Sequence, residues 1–173
     1  MKEIRIPSTA DADTRTANGK VSKERLLDNS RQHISDVNQA LHFFVGILLQ
    51  KGVEHDWTKI DNIDEFYADF ASTQDGFQGD FKQMHWYHDI HLQERHHLKE
   101  YCPEDVNLLD VLERIADGVM AGMGRAGFIY EDELNPEILT KAYNNTMKLL
   151  ANNTEVIQTR QKPNQLSPEE EKK

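Results

Sequence analysis

The chain is short of cysteine and of positive charge. Cys102 is the one cysteine among 173 residues, so neither an intrachain disulfide nor a cysteine-based zinc site is available. Lys and Arg number 20 against 30 Asp and Glu, a formal charge of −10. Duplex nucleic acid, bound by neutralising phosphates, is therefore not an expected partner. No apolar run approaches the roughly 18–20 residues of a membrane span. Residues 1–6 carry charges where a secretory signal would have its apolar core. These absences predict a soluble, cytoplasmic protein with no membrane partner.

What is present is helical patterning. With 38% apolar residues the chain can build one domain with a core. Residues 1–21 read as a flexible arm, small and polar from Pro7 to Lys20, and residues 159–173 as a charged, proline-containing tail. Between them, residues 22–158 predict an all-α, compact bundle of about five helices. The first runs from about Ser22, a plausible N-cap, to Lys51, with Ile34, Val37, Leu41, Phe44, Val45 and Leu48 forming a core-facing stripe. A second begins near His55 and resumes after Asn62, followed by a loop over Ser72–Gly79. A third covers about 80–101, a fourth about 106–125, and a fifth starts at Asn135-Pro136 and reaches about Val156.

All eight histidines lie between residues 33 and 97, a density that points to a site. His33 sits at the edge of the first apolar stripe, where an imidazole needs a partner. His55-Asp56 pairs a neutral nitrogen with a charged oxygen, a combination suited to Mn, Fe, Co, Ni or Zn. Lys59, three residues after Asp56, shares its helical face and sets a phosphate-sized charge beside it. Asp117 lies on a face of small residues, Gly118, Ala121, Gly122 and Gly124, and is preferred as a further ligand over Asp110 and Glu113. His88, His91 and Arg95 share one face of the expected third helix, which would combine metal ligands with a phosphate-binding arginine. His42 and His85 have no evident task.

The order His33, His55-Asp56 with Lys59, then Asp117 resembles the HD superfamily of metal-dependent phosphohydrolases, over about residues 30–125. The segment Asn107–Asp117, following Arg95-His96-His97, also resembles an uncharacterised HD-like family frequent in phage genomes. The resemblance implies an all-helical HD-like domain whose first metal is held by His33, His55, Asp56 and Asp117. By analogy with binuclear HD enzymes, His88, His91, His96 and His97 would serve a second metal. HD-type deoxynucleotidases carry a glutamate where this chain has Lys59, and the lysine-bearing branch usually has glycine where it has Thr58.

The function implied is hydrolysis of a small phosphorylated substrate, a nucleotide or cyclic nucleotide. One or two divalent ions (Mn, Fe, Co, Ni, Zn or Mg) would assist, with Asp56, Lys59 and Arg95 in catalytic roles, and HD domains also suggest a homo-oligomer. The alternative is a non-catalytic metal-binding interaction or regulatory module that presents an exposed Trp86-Tyr87 surface. A carboxylate-bridged di-iron bundle needs Glu-x-x-His on two helices; the sequence offers one, Glu94 to His97.

Overall fold

The computed structural model describes residues 2–9, 16–17, 19–74 and 80–157. The expected tail at 159–173 and most of the loop at 72–79 lie outside the described residues, as does part of the arm. The protein is all-α, with five α-helices among the described residues: α1 (Lys23–Glu54), α2 (Trp57–Asp61), α3 (Ile63–Gln74), α4 (Leu108–Ala126) and α5 (Pro136–Asn153). Strand β1 (Ile4–Pro7) pairs in parallel with β2 (Thr154–Ile157), Ile4 opposite Thr154. Neither strand was expected: β1 falls in the arm, and β2 takes the last three residues of the region read as helix and the one after. The chain divides into two units, residues 1–40 with 153–173, and residues 41–152.

The helix ends follow the capping chemistry of the sequence. Ser22 accepts from the Arg25 amide at 3.2 Å, as an N-cap should. At α4, Asn107 and Asp110 form a reciprocal capping box, satisfying two amides that a helix start leaves open. Gly127 closes α4 in the left-handed conformation, at φ 75°. Asn135 caps α5 by accepting from the Glu137 amide at 2.9 Å.

In the second unit the aliphatic core joins α4, α5 and the segment before them. Leu98, Val106, Val111 and Ala142 are buried together, flanked by Cys102, Leu108, Leu134 and Ile138. Thr146 on α5 accepts from the Leu108 amide at 2.8 Å, fixing the start of α4. A second nucleus is aromatic: Phe66 stacks on Trp86 with centroids 4.0 Å apart, and Trp86 stacks on His91 at 4.9 Å. Trp86, expected on an exposed surface, is 1% exposed. The apolar stripe of α1 is formed but not covered: Ile34, Val37, Leu41 and Val45 are exposed, and no residue of α1 is buried.

The largest departure is residues 80–101, expected as one helix. They form a 3₁₀ turn (Phe81–Gln83), a π-turn (Trp86–Ile90) and a second 3₁₀ turn (His91–Gln93), then irregular turns. The reason lies in which side chains the segment buries. Glu94, His96 and Leu98 are all buried, a two-residue period that no single face of an α-helix can satisfy. Short π-turns of this kind often mark functional sites.

Candidate metal centre

The site begins where α1 ends. The chain turns through His55 and Asp56 before α2, and Asp56 takes φ 57°, ψ 25°, the left-handed region that aspartate tolerates better than most residues. It is the one non-glycine residue with positive φ among the described residues. On a helix the two side chains would diverge by about 100°. In this turn they face one another, with His55 Nε2 at 3.6 Å from Asp56 Oδ2.

Glu94 holds the turn. Its carboxylate accepts from the Asp56 amide at 3.0 Å, from the Thr58 amide at 3.1 Å, and from the Thr58 hydroxyl. Burial pushes the Glu94 carboxyl up, but its bonds with His91 and Thr58 outweigh that and hold it at about 2. An ionised carboxylate thus caps the start of α2, where backbone amides and dipole favour negative charge.

Four imidazoles gather around Asp56. His91 Nε2 and His96 Nε2 each lie 3.7 Å from Asp56 Oδ1, and His97 Nε2 lies 3.0 Å from His91 Nε2. Two groups have ligand atoms mutually within 4.8 Å: His55, Asp56 and His96, and Asp56, His91 and His97. Asp56 belongs to both. Its Oδ1 and the Nε2 of His96 are buried without a hydrogen-bond partner. Such orphans cost roughly 1–3 kcal/mol each unless something else binds them, and a divalent cation is what this donor set fits.

The outer nitrogens are oriented for that task. His55 Nδ1 meets Glu113 Oε1 at 3.2 Å, and His96 Nδ1 is 3.5 Å from the same oxygen. His91 Nδ1 lies 3.0 Å from the Thr58 hydroxyl oxygen. Thr58 gives its own proton to Glu94, so its oxygen accepts from His91 Nδ1–H. The His91 Nε2 lone pair is thereby left facing His97 Nε2 and Asp56. Fixing the tautomer through the far nitrogen is how metal-binding histidines are commonly prepared. Burial, with His96 and His91 close by, lowers His97 to about 3, so its imidazole is neutral near pH 7. Burial raises Glu113, but bonds with His96, Lys51 and His55 prevail and bring it to about 2.

Of the residues singled out from sequence, His55, Asp56, His91, His96 and His97 come together. Asp117 stands beside them, its Oδ1 3.7 Å from His55 Nε2. Its rivals have other roles: Glu113 orients His55, while Asp110 is fully buried and bound by Arg95 at 2.8 Å and Lys51 at 2.6 Å. Lys59 is paired with the Asp56 carboxylate.

Three expectations require correction. Arg95 does not sit free for phosphate; it bridges Asp110 and Asp105, and its guanidinium is held more firmly protonated by the Asp110 bond. His88 is exposed and bonded to Asp89 at 2.7 Å, because the helix that would have aligned it with His91 and Arg95 does not form. His33 is exposed on α1 and belongs to neither group; the 22 positions between it and His55 amount to roughly six helical turns. His85, also spare, pairs with Asp89 at 2.7 Å. Glu94 and Thr58 were missed as supports. Glu94 had registered as a fragment of a di-iron motif, and its spacing of three residues from His91 was the available signal. Compared with family models, curated proteins and solved structures, the chain matches none of them.

Proposed function

We propose that the protein is a metal-dependent phosphohydrolase of HD type, acting on a small phosphoester such as a nucleotide or cyclic nucleotide. His55, Asp56 and His96 would hold one cation, and Asp56, His91 and His97 a second. The observation that carries this reading is Asp56 itself, common to both groups, with Oδ1 buried and unpartnered beside the unpartnered Nε2 of His96. The nitrogen-rich donor set favours Mn, Fe, Co, Ni or Zn over Mg, which prefers oxygen. A bound cation supplies Lewis acidity toward the phosphoryl group and makes water a usable nucleophile.

The chain's own groups do the rest. Thr58 and Glu113 engage the outer nitrogens of His91 and His55, which turns their inner nitrogens toward the centre. Lys59 brings positive charge to the edge of the centre, where it can neutralise a phosphate oxygen. Asp117, partly exposed at the rim, is placed to accept a proton from water at Oδ1. Titration of metal-stripped protein with Mn²⁺, followed by assay of phosphate release from a nucleotide panel, tests the reading. Saturable Mn²⁺ binding is expected, weakened about 100-fold in Asp56→Asn, together with turnover of at least one phosphoester. Unchanged binding in that variant would refute the site.

A second reading, a metal-binding module without catalysis, is favoured by the engagement of Arg95 with Asp110 and of Lys59 with Asp56. Both cationic side chains are then committed to carboxylates instead of to phosphate. Tight Mn²⁺ binding without turnover of any phosphoester is the outcome that selects it.

A further inference from the structure

A cavity of about 300 Å³ opens against the candidate centre, between the last turns of α1 and the middle of α4. His55 and Asp117 belong to its lining, and Leu48, Gly52, Leu112, Ala116 and Met120 form most of its walls. Its volume is at the lower end of the range for sites that hold small ligands.

The polar groups lining it are nearly all committed. Lys51 and Glu113 are hydrogen-bonded to each other at 2.8 Å, Lys51 also to Asp110 and Glu113 also to His55. Leu48 and the wall residues of α4 lie within continuous helices, whose amides and carbonyls are spent on their own i to i−4 bonds, which leaves the Gly52 carbonyl, in the last turn of α1, as the one open backbone acceptor of these walls. The inward nitrogen of His55 and the Asp117 carboxylate remain, both at the candidate centre. A ring edge bearing donors and acceptors therefore finds a single backbone acceptor along the walls and no donor, whereas an apolar or aromatic body finds leucine and methionine side chains.

We infer that this cavity seats the organic body of the phosphoester and reads it by apolar contact alone, so that the preferred substrates are phosphate monoesters of compact aromatic or apolar groups. Nucleotides then enter by the face and bulk of the base, not by its edge. The inference rests on the proposed phosphohydrolase reading of the centre and narrows its substrate class.

The test uses the full chain loaded with Mn²⁺ and compares phenyl phosphate with AMP, GMP, CMP and UMP by calorimetry and by phosphate release. The four nucleotides are expected within about threefold of one another, with phenyl phosphate bound at least as tightly. A site that hydrogen-bonds a ring edge would separate them by orders of magnitude. Ala116→Phe, at an exposed position of α4, fills the cavity and should weaken all five organic ligands about tenfold or more. Mn²⁺ and inorganic phosphate affinity should not move. Leu112→Gln, also at an exposed position, carries the same test if the larger side chain perturbs the helix, and should weaken phenyl phosphate most. With Mn²⁺ bound, a preference of about 30-fold for one base, or indifference of all five ligands to both substitutions, overturns this inference alone. Failure of Mn²⁺ to bind overturns the reading of the centre and the inference with it.

Discussion

Glu94 gives the sharpest handle on the site, because one buried carboxylate both folds the turn and prepares its ligands. Glu94→Gln keeps the shape but replaces an anion that accepts from two amides and a hydroxyl with a neutral group carrying donors of its own. The magnitude follows from the carboxyl's displacement, from an ordinary 4.5 down to about 2. At about 1.4 kcal/mol for each tenfold change in acid constant, the ionised form is worth about 3 kcal/mol to the folded state. Because the folded value is the lower one, this stabilisation is present in full above pH 4.5 and is lost as pH falls from there toward 2. Urea denaturation at pH 7 should show the variant less stable by about 2–3 kcal/mol, with the gap closing steadily below pH 4.5. The Asp56 turn should loosen with it, weakening Mn²⁺ binding by about 10–100-fold, as loss of a group that orients ligands does elsewhere. A stability loss below about 0.5 kcal/mol, or one that does not change between pH 7 and pH 3, would refute the claim that Glu94 holds the turn.

Other substitutions separate structure from chemistry. Arg95→Met leaves the fully buried Asp110 with Lys51 as its remaining cationic partner and should cost about 1–3 kcal/mol in denaturation; a change confined to KM would instead restore Arg95 as a phosphate ligand. Gly122→Ala places a Cβ at 2.6 Å from the Phe128 carbonyl oxygen and should lower stability by about 1–3 kcal/mol, read as a fall in Tm. For His97 the direction is the same but the window lies higher, since its folded value of about 3 lies below the ordinary 6.5. The unfolded chain takes up that proton first, so stability falls as pH drops from 6.5 toward 3, and His97→Gln should flatten that part of the pH–stability curve.

The helices with regular apolar spacing and clear caps were readable from sequence. Ser22 and Asn135 mark starts that the structure uses, and α4 begins within two residues of its expected position. Residues 80–101 were not readable, because the histidines and carboxylates there are buried by polar convergence, which leaves no apolar period to detect. His55-Asp56 was visible as a pair. Its partners were harder: His91, His96 and His97 stood out by residue type, but separating them from His88 needed the turn geometry that brings Glu94 to the Thr58 amide. His33 misled because its place at the edge of an apolar stripe says nothing about distance along a helix. β1 and β2 are four residues each, and their pairing is non-local, so neither carries its own signal.

That pairing has a consequence for how the protein is made. Arg5 and Glu155, which face each other across the two strands at 2.8 Å, lie 150 residues apart. At about 5–20 residues per second, a ribosome finishes β1 about 8–30 s before its partner strand exists. Throughout that interval β1 is an open edge, with the hazards of unsatisfied strands. The charged side chains of Lys2 and Arg5, beside and within the strand, suit it to wait in water.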